Sequence, residues 1–248
     1  MKLFGLIGYP LGHSFSQKYF TEKFRAEGLD DHCYELFPLK TVDKLPGLIS
    51  GNHDLHGLNV TIPYKVEVLP YLNEIDPMAE AIGAVNVIRI SRKENSLTLK
   101  GFNTDAPAFM QTIRNIGDTK LRKAIVLGTG GASASVCHVF GLMGIDVIRV
   151  SRDASKGDIS YNGVTADILQ GADIIVNTTP VGMYPTTGEC PPMDYGCLMP
   201  QQILYDLIYN PLKTEFLLRG EKQGCRILNG LEMLHLQAEL AWEIWNRD

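Results

Sequence analysis

Three short polar clusters interrupt the hydrophobic rhythm in the first half of this 248-residue chain. They are Gly8-Tyr9-Pro10-Leu11-Gly12-His13-Ser14-Phe15-Ser16, then Asn59-Val60-Thr61-Ile62-Pro63-Tyr64-Lys65, then Gly101-Phe102-Asn103-Thr104-Asp105. Each follows a strand-like run, and loops at the carboxyl ends of parallel strands line one crevice. Hydride transfer to a ketone needs a proton for the developing alkoxide, and Lys65 beside Asp105 would be a cationic donor held by an anionic partner. Residue types alone favour a solvated Lys65 and a helix-capping Asp105 over such a pair. A serine pair such as Ser14 and Ser16 is, without further context, more often a turn cap than a ligand.

A second chemical feature is Ala124-Ile125-Val126-Leu127-Gly128-Thr129-Gly130-Gly131-Ala132-Ser133. A glycine-rich turn between a buried strand and a helix lets backbone N–H groups approach a pyrophosphate, and the helix N-terminus adds positive potential. The pattern is Gly-x-Gly-x-x-Ser, with Ser133 in place of the third glycine, so helix and strand are expected to pack slightly farther apart. A merely structural β-α turn would use the same residues. About 20 residues on, where an NAD enzyme usually offers an acid to the ribose 2′-hydroxyl, the next strand ends Val150-Ser151-Arg152-Asp153. The charge and planar fork of Arg152 suit a 2′-phosphate, which favours NADP. Asp153 beside it leaves NAD open.

Short aliphatic runs alternate with amphipathic ones, the β-α rhythm that would position these groups. In the first half this predicts strands at Leu3–Gly8, Cys33–Leu39 and Gly57–Ile62, helices at Ser16–Glu27, Thr41–Ile49 and Lys65–Leu72, and two further strands at Ala84–Ile90 and Leu97–Phe102. A helix is expected from Thr104 or Asp105 to near Gly117. Strands Ala124–Leu127, Asp146–Val150, Asp173–Asn177, Ile203–Asp206 and Cys225–Leu228 then alternate with helices Ala132–Met143, Thr165–Leu169 and Lys213–Lys222, and a long loop spans Thr179–Pro200. Repeated units of this kind favour parallel sheets covered on both faces. The final segment Gly230–Arg247 carries Leu231, Leu234, Ala238, Ala241, Trp242 and Trp245 at helical spacing and needs a surface to cover.

Composition narrows the classes. With 45% hydrophobic and 21% charged residues and a net charge of −5, the chain reads as globular and offers no general attraction to nucleic acid or anionic lipid. Five cysteines without a Cys-x-x-Cys pair indicate neither a disulfide framework nor a zinc cluster and point to a reducing cytoplasm. The apolar run Leu3–Leu11 is broken by Gly5, Gly8 and Pro10, and no stretch is long enough to span a bilayer, so an unexported chain is expected. His53-Asp54-Leu55-His56 has no third ligand in sequence reach, so no metal is expected. Cys137 reads as a small buried hydrophobe.

Taken in order, the segments resemble the shikimate dehydrogenases over nearly the whole chain. Beyond the clusters quoted above, the resemblance rests on Gly83-Ala84-Val85-Asn86, Asn177-Thr178-Thr179-Pro180-Val181-Gly182-Met183, Asp206-Leu207-Ile208-Tyr209-Asn210-Pro211 and Gly230-Leu231-Glu232-Met233-Leu234-His235-Leu236-Gln237. It implies an α/β protein with an N-terminal open α/β substrate domain, a C-terminal Rossmann dinucleotide-binding domain, and a last helix returning to the first domain. The implied boundaries are 1–103 with 230–248 for substrate and 104–229 for NADP.

The implied reaction is NADP-dependent interconversion of 3-dehydroshikimate and shikimate in aromatic amino-acid and chorismate biosynthesis, with Lys65 and Asp105 as the catalytic pair. Ser14 and Ser16 would hold the substrate carboxylate, Thr61, Asn86, Asp105 and Gln237 its ring hydroxyls, and Tyr209 would complete the pocket. Gly128, Thr129, Gly130, Gly131, Ala132, Ser151, Arg152, Leu207, Gly230 and Met233 would face the cofactor. Small molecules would be the partners, with no nucleic acid or membrane, and the chain would act as a monomer or homodimer. The alternatives are a quinate/shikimate enzyme tolerating NAD and a catalytically silent dinucleotide sensor. The chain departs from the family pattern at Gln17, where proline is usual, at Ser151-Arg152-Asp153 in place of Asn-Arg-Thr, and in a short second domain where Ser155–Gly163 leaves little room for a helix.

Overall fold

The computed structural model describes residues 1–12, 15–93, 96–117 and 119–247. Two units divide the chain, one of residues 1–104 with 238–248 and one of residues 105–237. The first contains β1 (Lys2–Gly8), α1 (Phe15–Ala26), β2 (His32–Pro38), α2 (Leu45–Gly51), β3 (Leu55–Val60), α3 (Tyr64–Glu67), β4 (Glu74–Ile75), α4 (Pro77–Ile82), β5 (Val87–Lys93) and β6 (Ser96–Phe102). The second contains α5 (Asp105–Arg114), β7 (Lys123–Leu127), α6 (Gly131–Leu142), β8 (Asp146–Ser151), β9 (Ile159–Ser160), α7 (Ala166–Gln170), β10 (Ile174–Asn177), β11 (Ile203–Asp206), α8 (Glu215–Lys222) and β12 (Arg226–Leu228). The last helix, α9 (Leu231–Trp245), belongs to the second unit up to Gln237 and to the first from Ala238.

The first sheet has the order β2-β1-β3-β5-β6-β4. It is mixed where the β-α rhythm favoured a parallel arrangement: β5 pairs antiparallel with both β3 and β6, while the pairings β1–β2, β1–β3 and β4–β6 are parallel. The run Lys65–Leu72 is not one helix. It splits into α3 and a 3₁₀ turn at Leu69–Tyr71, because Pro70 lacks the N–H that would continue the α ladder. Thr41–Ile49 divides in the same way into a 3₁₀ turn at Val42–Lys44 and α2, which has proline in its first turn. Helix α4 and strand β4 were not expected, although α4 carries full end signals: Asp76 accepts from Met78 N–H at 3.0 Å, Pro77 opens the helix, and Gly83 closes it at φ +72°.

Alternation along β1 builds two cores, one on each face of this sheet. Leu3 and Ile7 join Leu45, Ile49, Leu55, Leu58, Tyr64, Val85 and Ile88. Phe4 and Leu6 join Phe20, Phe24 and Tyr34 with Ala238, Ala241, Ile244 and Trp245. The terminal helix therefore covers the second face. Its anchor is Trp245, whose indole lies 4.9 Å from Phe4 and 5.3 Å from Phe20 between ring centroids and donates to Ile88 O at 3.1 Å. Gly57 makes room for it, since a Cβ there would fall within the Trp245 ring.

The second sheet, β12-β11-β10-β7-β8-β9, is parallel throughout. Numbered within the unit this is the dinucleotide-fold order, with the topological switch between β7 and β10. Ile125, Leu127, Ile175 and Leu204 pack on Leu169, Phe216 and Leu217. Phe109 meets Phe140 edge to face at 5.3 Å and stacks on Tyr205 at 5.4 Å. The short stretch after β8 holds only β9 and a 3₁₀ turn at Tyr161–Gly163. Among the described residues, no helix is long and apolar enough to cross a membrane.

Truncating the anchor tests this account of the first unit. Trp245→Ala should cost about 3–5 kcal/mol of unfolding free energy, read from the urea midpoint at constant slope. A loss below about 1 kcal/mol would show that α9 is not held by this contact.

Candidate functional site

In the first unit a set of backbone hydrogen bonds gathers the polar clusters at one edge of the sheet. Thr61 N–H donates to Ile7 O at 2.9 Å and Tyr9 N–H to Ile62 O at 3.1 Å, which joins the loop after β3 to the loop after β1. Val60 N–H donates to Asn86 O at 2.8 Å, and Asn86 N–H to Phe102 O at 3.0 Å. Val85 N–H donates to Lys65 O at 2.7 Å, placing the half-buried Lys65 next to the start of β5. Side chains complete the cluster: Asn86 Oδ1 accepts from Thr104 N–H at 2.7 Å, Asn86 Nδ2 donates to Thr104 Oγ1 at 2.9 Å, and Asn103 Nδ2 donates to Ala84 O at 2.9 Å. Thr61, Lys65 and Asn86 are thus brought together from three segments. Asp105, buried at 5% exposure, follows Thr104 directly and opens α5.

Ser14 lies outside the described residues. Ser16 is half-buried in the first turn of α1 and hydrogen-bonds to Tyr34, whose hydroxyl donates to Asn59 Oδ1 at 2.7 Å. Burial pushes the Tyr34 phenol well above its ordinary range, so it stays a donor. Asn59 is 5% exposed, and its Nδ2 has no partner among the described residues. A buried amide N–H left without a partner costs about 1–3 kcal/mol, so the group is poised for an acceptor brought from outside. In the sequence nothing separates Asn59 from an ordinary strand asparagine.

In the second unit, Gly128 follows β7 at φ +110°. This conformation favours glycine, and a Cβ would press on Thr178 Oγ1 at 2.7 Å. Thr129 and Gly130 are exposed, while Gly131 and Ala132 form the first turn of α6. Gly130 caps this 12-residue helix without any side-chain hydrogen bond, leaving its first N–H groups to an incoming anion. The Ser133 hydroxyl donates to Gly128 O at 2.7 Å and so closes the turn. At the end of β8, Ser151 is buried and Arg152 exposed. Asp153 accepts from the Ser155 N–H and hydroxyl at 3.0 and 2.7 Å and pairs with Lys156 at 3.6 Å. The Ser155 hydroxyl, with its N–H and Lys156, holds this carboxyl below the usual range. These residues fit an adenine dinucleotide carrying a 2′-phosphate: a glycine cradle, an open helix terminus and a guanidinium whose acidic neighbour is occupied in its own turn.

The strands next to the switch end in Asn177 and Asp206, both fully buried. Asp206 Oδ1 accepts from Asn177 Nδ2 at 3.1 Å and Ile208 N–H at 3.0 Å, and Oδ2 accepts from Thr214 Oγ1 at 2.5 Å. Burial pushes the Asp206 carboxyl up to about 6, against hydrogen bonds from Thr214, Ile208 and Asn177 that favour the anion. Leu207 and Tyr209 are half-buried in the following loop. Gly230 N–H donates to Ile208 O at 3.0 Å, and a Cβ at Gly230 would fall on the Leu207 carbonyl, so only glycine permits this approach. On α9, Met233 is buried at 6% exposure, and the half-buried Gln237 donates to Leu234 O at 3.0 Å. In the sequence nothing gives Asn177 or Asp206 a role, because what singles them out is burial and a shared network. Among the described residues no three His, Cys, Asp or Glu side chains gather as metal ligands, and His56 bonds instead with Asp54 O at 2.7 Å.

Comparison with known proteins adds an independent observation. A family profile described as the shikimate dehydrogenase substrate binding domain matches residues 6–88. The shikimate dehydrogenase (NADP(+)) of Carboxydothermus hydrogenoformans is 37% identical over 262 residues, spanning 98% of this chain and 91% of its own. Among solved structures, shikimate dehydrogenase 1 from Peptoclostridium difficile matches with a TM-score of 0.85 at 38% identity, over 99% of this chain and 91% of that one. Shikimate 5-dehydrogenase from Thermus thermophilus, solved in complex with NADP(H) and shikimate, matches with a TM-score of 0.86 at 29% identity, over 99% and 94%.

The raised Asp206 carboxyl has a consequence for stability. The folded chain holds this proton up to about pH 6 while the unfolded chain, with an ordinary value of 3.8, releases it earlier. Stability is therefore lost as pH rises through this window, by about 3 kcal/mol in all from this group. Asp206→Asn removes the titration, so the wild type should lose stability relative to the variant between pH 4 and 6 in urea melts. A pH-independent difference would refute the assignment.

Proposed function

The chain belongs to the shikimate dehydrogenase family, and from that membership we propose that it catalyses the reversible NADP-dependent reduction of 3-dehydroshikimate to shikimate, in chorismate and aromatic amino-acid biosynthesis. The observation that carries the reading is the edge where Thr61, Lys65, Asn86 and Thr104 are brought together by the Val60–Asn86, Val85–Lys65 and Asn86–Thr104 hydrogen bonds. Such an array of small donors and acceptors suits a polyhydroxylated ring, and a site that pairs each hydroxyl rejects analogues lacking one.

NADP supplies or accepts the hydride. In our reading the Lys65 ammonium gives a proton to the carbonyl oxygen of 3-dehydroshikimate and regains it on oxidation, while the Asp105 carboxylate orients Lys65 and accepts from the reacting hydroxyl. Ser14 and Ser16 hold the substrate carboxylate. Thr61, Asn86 and Gln237 pair with ring hydroxyls, Tyr209 completes the pocket, and Asn59 adds its orphaned amide N–H. The turn Gly128, Thr129, Gly130, Gly131 and Ala132 holds the pyrophosphate, Ser151 and Arg152 the 2′-phosphate, and Leu207, Gly230 and Met233 the nicotinamide end. We assign substrate recognition to residues 1–103 with 230–248 and NADP binding to 104–229, in a cytoplasmic monomer or homodimer. The cytoplasmic placement is supported by five cysteines that are all free thiols.

The test is the near-ultraviolet absorbance of reduced nicotinamide during turnover of shikimate with NADP, then NAD, and of quinate with each. Turnover with shikimate and NADP is expected. Preference for quinate with NAD would redirect the reading to the related activity, and no turnover with any pair would replace it with a sensor. Lys65→Ala should lower kcat roughly 10²–10⁴-fold with a much smaller change in shikimate KM. Arg152→Ala should raise the NADP KM by roughly 10–100-fold, the worth of charge-assisted bonds to a phosphate, and leave the NAD KM nearly unchanged.

A further inference from the structure

We infer that Asp206 is a positioning residue for the reaction: its buried carboxylate ties Asn177, Ile208 and Thr214 into one network that sets the loops after β10 and β11. Three observations carry this. First, the partners come from both loops. Asn177 ends β10, the Ile208 N–H lies two residues past Asp206, and Thr214 caps α8 by accepting from Leu217 N–H at 3.4 Å. Second, the network extends outward. Asn177 Oδ1 accepts from the Thr179 N–H and hydroxyl at 3.1 and 2.7 Å, and the neighbouring Thr178 hydroxyl donates to Leu127 O at 2.7 Å, beside the space that only glycine leaves open at position 128. On its other side, Leu207 N–H donates to Asn177 O and Gly230 N–H to Ile208 O, each at 3.0 Å. One carboxylate thus braces the loop after β10, Leu207, Tyr209 and Gly230 against one another. Third, none of its hydrogen-bond partners among the described residues is a cation. A buried acid without a counter-ion is an expensive way to end a strand, so its return must be order in the loops it joins.

The inference rests on the dehydrogenase reading, so the test pairs turnover with a readout independent of it. Asp206→Ala and Asp206→Asn are compared with the wild type by steady-state kinetics, NADPH binding by fluorescence, and hydrogen–deuterium exchange of peptides spanning 178–183 and 207–214. Asp206→Ala should lower kcat by roughly 10–100-fold, the cost of misplacement by about an ångström, while NADPH Kd, set largely at the glycine turn and Arg152, moves by no more than about threefold. Both loops should exchange faster. Asp206→Asn keeps the acceptor for Asn177 and Ile208 and can pair with a rotated Thr214 hydroxyl, so it should rescue kcat to within about fivefold of wild type and restore slow exchange. If Asp206→Ala does not fold, Thr214→Val against Thr214→Ser makes the same comparison. Unchanged exchange in the two loops, an Asn variant as impaired as Ala, or activity falling only with the folded fraction overturns the inference. A wild type that binds NADPH without turnover overturns the dehydrogenase reading instead, and the exchange comparison still decides the role of Asp206.

Discussion

Two hydrogen bonds between Asn86 and Thr104 define the edge on which the proposed chemistry depends. Both residues are buried, at 3% and 1% exposure, and the Asn86 amide uses its oxygen on the Thr104 N–H and its nitrogen on the Thr104 hydroxyl. Neither group can turn away without leaving a buried donor or acceptor unpaired, at about 1–3 kcal/mol each. Because Val85 N–H is simultaneously bonded to Lys65 O, the same residues that hold the start of β5 also hold the backbone that carries Lys65. The side chains with chemical potential are therefore placed by neighbours that are themselves held by hydrogen bonds, which is what preorganisation requires.

In the proposed reading the second unit meets a different need, the approach of backbone to an anion. Its parallel sheet places the turn after β7 at the switch point, and Gly128 takes a conformation that a side chain would strain. Where a third glycine would allow close helix packing, Ser133 sits buried at 2% exposure with its hydroxyl on the Gly128 carbonyl. The departure from the glycine pattern is thus compensated by a bond glycine could not make. Asp153 is a similar case: its charge is met by Ser155 and Lys156, so it does not stand as an unanswered acid beside Arg152.

Elements whose periodicity or end signals are undisturbed were legible from residues alone: β1, the strand–turn–helix of β7 and α6, and the apolar stripe of α9. The stripe said that a surface was needed, and the family resemblance supplied which one; Trp245 against Phe4 and Phe20 is its physical form. Helix α3 was overextended because an apolar period was followed through Pro70, and α4 was missed although Asp76, Pro77 and Gly83 spell a cap, a start and a stop. The site was legible only in part. Lys65, Thr61 and Asn86 stood out as polar interruptions, whereas the orphaned Asn59 amide and the Asp206 network are properties of burial, which residue types do not carry.

The reversed strand explains how one edge receives so many groups. In a wholly parallel sheet each strand delivers only its trailing loop to the carboxyl edge. Strand β5 runs against its neighbours, so its leading residues Val85 and Asn86 arrive at that edge beside the loop following β3, and β6 returns the chain there at Phe102. Asn59 pairs with Val87, and Val87 with Phe102, so the three segments finish at one level. A parallel crossover would need a dozen or more residues, usually a helix, between the two strands. The antiparallel pair needs only two residues between β5 and β6, brings Asn86 and Thr104 to within a hydrogen bond, and leaves Asp105 one residue beyond that fixed point. The mixed sheet is therefore part of how the site is assembled, and a β-α rhythm alone could not announce it.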